Sequence, residues 1–309
     1  MFAQPVASAI TAVREAAARA AWTQWGAIFT FAASRRPATA IVDAEALVLG
    51  SFALSGHEPR LWRVARSWAR FAARLLSVQR AKNLARRFPT SVNDRLGEFA
   101  QIAVMHGGDQ RWRSIARDSP PTKSDRREPE ATPVLEGGPP LMLRLRLGFG
   151  VGIKADVVSH LVGLAGARYT VQQVAAATAY YGRAVRRALE ELVAAGFVEA
   201  RPTAPASYRI DLAKWADLLA ITTKDPPAWR PWASVYSFVA ALDAWSRRPV
   251  PESDFVLASE ARDLVAQHAE ALESAGVRIP ALSVHRGETY LEPFRKALKE
   301  LADFVDATV

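Results

Sequence analysis

Three arginines within five residues, Arg183, Arg186 and Arg187, follow two tyrosines, Tyr180 and Tyr181, in the run TAYYGRAVRRALEEL. Val185, Ala188, Leu189, Leu192 and Val193 recur there at spacings of three and four. A helix through the run therefore turns its apolar stripe one way and Arg183, Arg186, Arg187 and Glu190 the other. A guanidinium on such a face can donate two parallel hydrogen bonds, which suits guanine O6 and N7 as well as phosphate oxygens. The chemistry on offer is recognition of an anion, with no covalent step. The plainer alternative is a solvated face, because exposed arginines need no ligand.

The elements around this run must hold it. Residues 153–211 read as helix, helix, turn, helix, strand, turn, strand. The first helix, Lys154 to about Leu164, puts Val157, Val158, Leu161, Val162 and Leu164 inward. Thr170 begins the second, because Thr170-Val171-Gln172-Gln173 fits a capping box in which the hydroxyl and the Gln173 amide satisfy free backbone donors. Its buried side is Val171, Val174 and Ala175. A turn at Ala179-Tyr180 leads into the arginine-bearing helix, which Gly196 ends. Phe197 to Arg201 and Tyr208 to Asp211 are β-rich and flank PTAPAS, the layout of a hairpin. Upstream, LMLRLRLGFG alternates apolar residues with arginine at period two, which predicts a short strand.

The stretch VQQVAAATAYYGRAVRRALEELVAAGFVEARPTAPASYRI resembles the winged helix-turn-helix regulators of the MarR and ArsR kind, with about residues 141–213, a quarter of the chain, covered. The resemblance implies that the third helix enters the major groove of double-stranded DNA and the wing lies along the adjacent backbone or minor groove. Thr170, Gln172, Tyr180, Tyr181, Arg183, Arg186 and Arg187 then become contact positions on the helices, and Arg201, Ser207 and Arg209 contacts on the wing. It implies a transcriptional regulator, a repressor for choice, without cofactor or catalysis. A homodimer on palindromic half-sites is expected, since one such module offers a small interface. The alternative is a scaffold whose winged helix docks another protein and whose basic N-terminal face binds RNA or an acidic partner.

Composition agrees with a protein for a polyanion. The chain of 309 residues carries a net charge of +9, and half of it is apolar. Residues 1–118 contribute +9 and 141–213 contribute +4, whereas 230–309 are at −3. There is no cysteine, which excludes disulfides, thiolate metal sites and cysteine nucleophiles and fits a reducing cytoplasm. The apolar stretch Ala20 to Ser34 is too short for a span, so a membrane partner is not expected.

The fold class expected is mainly α. A basic all-helical domain occupies 1–118, with helices near 5–21, 23–33, 43–55, 58–75, 78–88, 92–105 and 109–117. Asp43 and Ser91 are expected as N-caps and Pro59 in a first turn. A linker of 119–140, with six prolines in RDSPPTKSDRREPEATPVLEGGPP, precedes the winged helix of 141–213. A helical region of 214–309, with helices near 231–246, 259–275 and 289–307, Ser259 as a cap and Gly276 as a terminator, is the candidate for dimerisation.

Arg63, Arg66, Arg70 and Arg74, at spacings of three and four in the N-terminal domain, form either a second phosphate-contacting face or a solvated one. Leu47 to Ser51, with Ala53 and Gly56, resembles a nucleotidyltransferase glycine–serine loop, but the paired carboxylates that would hold magnesium are missing downstream. LGFGVGIKAD lacks the third glycine of a dinucleotide loop. The five histidines are scattered without a ligand partner, so no metal is expected. The tryptophans, Trp62, Trp68, Trp229, Trp232 and Trp245 among them, are expected in cores, with a small-molecule pocket lined by some of them left open and any effector unidentified.

Overall fold

A computed structural model of the chain describes residues 4–30, 37–117, 132–249, 251, 253–274, 276–278, 280 and 287–308. The chain is mainly helical, with one small antiparallel sheet. Its first element, α1 (Gln4–Ile28), is a single helix where two were expected. Thr23 and Gln24, which suggested an interruption, are buried: Gln24 Nε2 donates to Tyr236 Oη at 2.8 Å, and Thr23 Oγ1 donates back to the Arg19 carbonyl. Then come α2 (Ala44–Leu54), α3 (Pro59–Phe71), α4 (Val78–Ala85) and α5 (Thr90–Met105). Asp43 caps α2 by accepting from Ala46 N–H, and Pro59 opens α3, both as expected. Ser91 is not a cap; Pro89 precedes the first turn of α5 without a side-chain bond. The expected helix at 58–75 stops at Phe71, after which 73–75 form a separate 3₁₀ turn.

The run LMLRLRLGF is α6 (Leu141–Phe149), a helix and not a strand. Its alternation misleads because Arg146 is fully buried, so one of the two arginines belongs to the interior. Next follow α7 (Ile153–Val162), β1 (Tyr169–Thr170), α8 (Val171–Thr178), α9 (Gly182–Ala194), β2 (Glu199–Arg201) and β3 (Ser207–Arg209). The sheet order is β1-β3-β2, with Thr170 opposite Ser207 and Arg201 also opposite Ser207 across the hairpin. β1 was not anticipated. Nor was α10 (Leu212–Leu219), which Asp211 caps by accepting from Ala213 N–H.

The chain ends in α11 (Trp232–Ser246), α12 (Asp254–Gln267), α13 (Ala269–Ser274) and α14 (Leu291–Ala307). Ser253, not Ser259, caps α12, and Gly276 follows α13 with a left-handed φ of 71°. These helices share one buried core with α1 to α5: α14 packs along α1, and α11 packs on α2. Gly50 lets α11 approach, since a Cβ there would stand 2.5 Å from the Tyr236 ring. The glycine and serine of Leu47 to Ser51 thus lie inside a packed helix, where Ser51 Oγ accepts from Trp25 Nε1 at 2.9 Å.

A second core belongs to α7, α8, α9, the sheet and α10, with Ile41 added from the N-terminal region. Helix α6 lies between the two, Leu143 in the first and Leu141, Met142 and Leu145 in the second. Of the expected linker at 119–140, residues 118–131 lie outside the described residues. Its end is docked: Val134 N–H donates to the Ile28 carbonyl at 2.8 Å, and Val42 N–H to the Pro139 carbonyl at 2.9 Å. Among the described residues no helix is long and apolar enough to cross a membrane.

Candidate nucleic-acid interface

The capping box at α8 is complete, with Thr170 Oγ1 accepting from Gln173 N–H and Gln173 Oε1 accepting from Thr170 N–H at 2.9 Å. Helix α8 ends at Ala179 in the left-handed region, φ 59°, which a non-glycine residue holds only under constraint. Part of that constraint is external: Asn83 Nδ2 of α4 donates to the Ala179 carbonyl at 2.9 Å. Val185, Ala188, Leu189 and Leu192 of α9 are buried, so the helix turns as its spacing requires.

Arg183, Arg186 and Arg187 all face solvent. Arg183 and Arg186 have no hydrogen-bond or ion-pair partner among the described residues. Arg187 is held by Glu191 at 2.9 Å, and Glu191 in turn by Lys154 at 2.8 Å; these bonds, Lys154 first, keep the Glu191 carboxyl below its usual range. Gly182 opens α9 with nothing within 4 Å of where a Cβ would be, so the first turn is accessible. Tyr181 is exposed, and Arg86 Nη1 donates to its hydroxyl at 3.1 Å. Gln172 is exposed on α8.

On the hairpin, Glu199 lies opposite Arg209 and Arg201 opposite Ser207, so these four share one face while Tyr208 points into the core. Arg201 is exposed. Arg209 donates to Glu199 at 2.7 Å, which leaves less of its charge for a ligand.

Tyr180 differs from the other expected contacts. Its hydroxyl donates to Asp156 at 2.8 Å and lies 3.2 Å from Ser77 Oγ. Burial, with Asp156 beside it, raises the phenol above its ordinary value. It therefore belongs to the interior side of the turn, in a chain of buried charges that sequence inspection missed. Arg80 bonds Asp43 at 2.6 Å and Glu45 at 2.7 Å; Arg146 bonds Glu45 at 2.7 Å and Asp156 at 2.7 Å. Arg80 Nε also donates to the Thr178 carbonyl at 2.8 Å, and Arg146 Nη1 to that of Leu75 at 2.9 Å. Burial alone would push the Glu45 carboxyl up, but Arg146 and Arg80 outweigh it and hold it at about 2. This network ties α2, α4, α6 and α7 to the turn that precedes α9.

The four N-terminal arginines do not form one face. Arg63 and Arg70 are exposed on α3, Arg70 over the Phe71 ring at 5.2 Å, whereas Arg74 lies beyond the helix on the 3₁₀ turn. Arg66 is largely buried, 3.9 Å from Glu98 and over the Trp62 ring. Two exposed basic residues that do approach α8 and α9 are Arg86 and Arg87, just after α4. They line a groove of about 400 Å³ with Gln172, Ala176, Tyr181 and Gly182. Both stand in the basic run before Pro89, but nothing local in the sequence joins positions 86 and 181.

The arrangement can address an anion by hydrogen bonding. Among the described residues no group of His, Asp and Glu is placed to hold a metal ion. No family model, no curated protein and no solved structure matches this chain.

Proposed function

We propose that this protein is a sequence-specific double-stranded DNA-binding regulator of transcription, a repressor acting in the cytoplasm, and that residues 141–213 work as a winged helix. The observation that carries the reading is the outer face of α9: Arg183 and Arg186 are exposed, without partners among the described residues, beside an accessible first turn. In the major groove that face offers guanidinium forks to base edges, and each well-placed bidentate pair contributes about 1–3 kcal/mol of discrimination. Arg86, which follows α4 and reaches Tyr181, and the exposed Arg201 of the hairpin supply phosphate contacts, which position the helix without reading sequence.

Two copies bind together, because a single module of this size covers too little DNA for tight specific binding. The inner faces of α11 and α14 do not provide that pairing, since Phe294, Leu298, Leu301 and Val305 are buried within the chain. Selection of bound duplexes from a random DNA pool tests the reading. An enriched palindrome with half-sites one helical turn apart is expected; a pool that stays random would favour protein docking over DNA reading.

A further inference from the structure

Between α8 and the start of α11 lies a cavity of about 310 Å³ that the DNA-reading proposal does not use. Trp229, Trp232 and Tyr169 give it aromatic walls. His160 stands edge-on to Trp229, ring centroids 5.0 Å apart, and edge-on to Tyr169 at 5.7 Å. His160 is 2% exposed, yet neither of its ring nitrogens has a hydrogen-bond partner among the described residues. Among the described residues Trp232 Nε1 and Arg230 Nε are buried without partners too. Native interiors leave few polar atoms in this condition, so three residues with such atoms around one cavity point to an occupant.

The charge of that occupant follows from the wall. Helix α11 begins here after Pro231, which gives no side-chain cap, and the N–H groups of Ala233 and Ser234 meet no acceptor among the described residues. The free donors and aligned peptide dipoles of a fifteen-residue helix attract negative charge to this end. Arg87 and Arg230 line the same space. The one carboxylate in the wall, Asp43, is engaged by Arg80 and by Ala46 N–H. His160 adds directionality: burial, with Arg80 nearby, pushes its pKa down to about 3. A neutral imidazole offers one donor and one acceptor, the complement of a heterocycle edge.

We propose that this cavity binds a small anion built on a flat nitrogen heterocycle, of the nucleoside monophosphate class. The ring lies among Trp229, Trp232 and Tyr169 with an edge toward His160, and the phosphate sits at Arg87, Arg230 and the first turn of α11. The volume is in the range of small-molecule sites. Gln173, Ala176 and Ala177 of α8 form the opposite wall, so the occupant touches the helix that leads into α9. Resting on the DNA-binding reading, the ligand acts as an effector that alters affinity for the operator.

The test is calorimetric titration of the full chain with AMP, GMP, CMP and UMP, with adenosine and inorganic phosphate as separate halves. At least one nucleotide should bind about tenfold more tightly than either half, and Arg230→Ala or Arg87→Ala should each weaken it by about tenfold. Lys224→Ala should bind as the parent chain does. In proton NMR, nucleotide addition should shift the His160 ring signals, which His160→Gln identifies among the five histidines. No heat and no His160 shift at millimolar nucleotide would overturn the proposal, as would phosphate binding as tightly as the nucleotides. Because these readouts involve no DNA, a bound nucleotide with no operator to regulate would refute the DNA-binding reading and leave this site standing.

Discussion

Arg146→Met isolates what the buried charge network contributes. The guanidinium is fully buried and donates to both oxygens of Asp156, at 2.7 and 2.9 Å, to both oxygens of Glu45, at 2.7 and 2.9 Å, and to the Leu75 carbonyl. Methionine keeps an unbranched apolar stem but has no donor. Asp156 would keep only the Tyr180 hydroxyl, and Glu45 would keep Arg80 and Ser77 N–H. Removing one partner of a buried pair costs about 3–5 kcal/mol, chiefly through the charge left behind. Glu45 points the same way: burial alone would raise its carboxyl above the ordinary 4.5, yet Arg146 and Arg80 together hold it at about 2, so these ion pairs stabilise the folded chain. Because the folded pKa is the lower one, that stabilisation is present above 4.5 and is lost as pH falls toward 2.

The assay is urea denaturation at neutral pH and across the acid range. Arg146→Met should lower the unfolding free energy by about 3–5 kcal/mol, and pairing it with Asp156→Asn should return more than about 1 kcal/mol of that. Glu45→Gln should flatten the stability profile between pH 4.5 and 2 relative to the parent. A loss under about 1 kcal/mol for Arg146→Met, with additive double-variant effects, would refute the claim that these charges are buried and coupled.

Other expectations follow from the same geometry. Arg183→Ala should cost roughly 1–3 kcal/mol on the selected DNA site and less on random duplex, with melting nearly unchanged; equal losses on both would mean that α9 supplies only charge. The log–log salt slope of duplex binding should be about −0.9 per phosphate contacted, and a slope near zero would remove the polyanion. Gly50→Ala should destabilise by about 1–3 kcal/mol through overlap with the Tyr236 ring, so a neutral result by thermal denaturation would contradict the tight α2–α11 approach. Thr170→Ala should cost about 1 kcal/mol through loss of the α8 cap, with unchanged stability as the refuting outcome.

What could be read from the sequence was what depends on neighbours along the chain. The Thr170 to Gln173 capping box, the α9 face and Gly196, with its φ of 74°, are set by residues within a turn or two of one another. The failures came where distant partners decide. Arg146 was counted as polar, and so made LMLRLRLGF look like a strand, because the carboxylates that allow its burial lie at 45 and 156. Thr23 and Gln24 broke a periodicity that Tyr236 restores from far away. Tyr180 looked like a reading position until Asp156 and Ser77 accounted for its hydroxyl. The cavity beside α11 was foreshadowed only by the tryptophans, since its donors come from α7, α11, the segment between α10 and α11 and the residues just after α4.

The pairing of α1 with α14 sets an order on biosynthesis. The face of α1 bearing Val6, Ile10, Val13 and Ala17 is buried in the finished protein partly against a helix that begins at residue 291. At ordinary translation rates of about 5–20 residues per second, roughly 15–50 s separate the emergence of the two helices. Residues 153–209 can close much of their own core in that interval, because its partners lie within a few dozen positions of one another. The larger core cannot be completed until the last helix arrives. The face of α1 that meets α14 thus stays uncovered on that side while everything between the two helices is made.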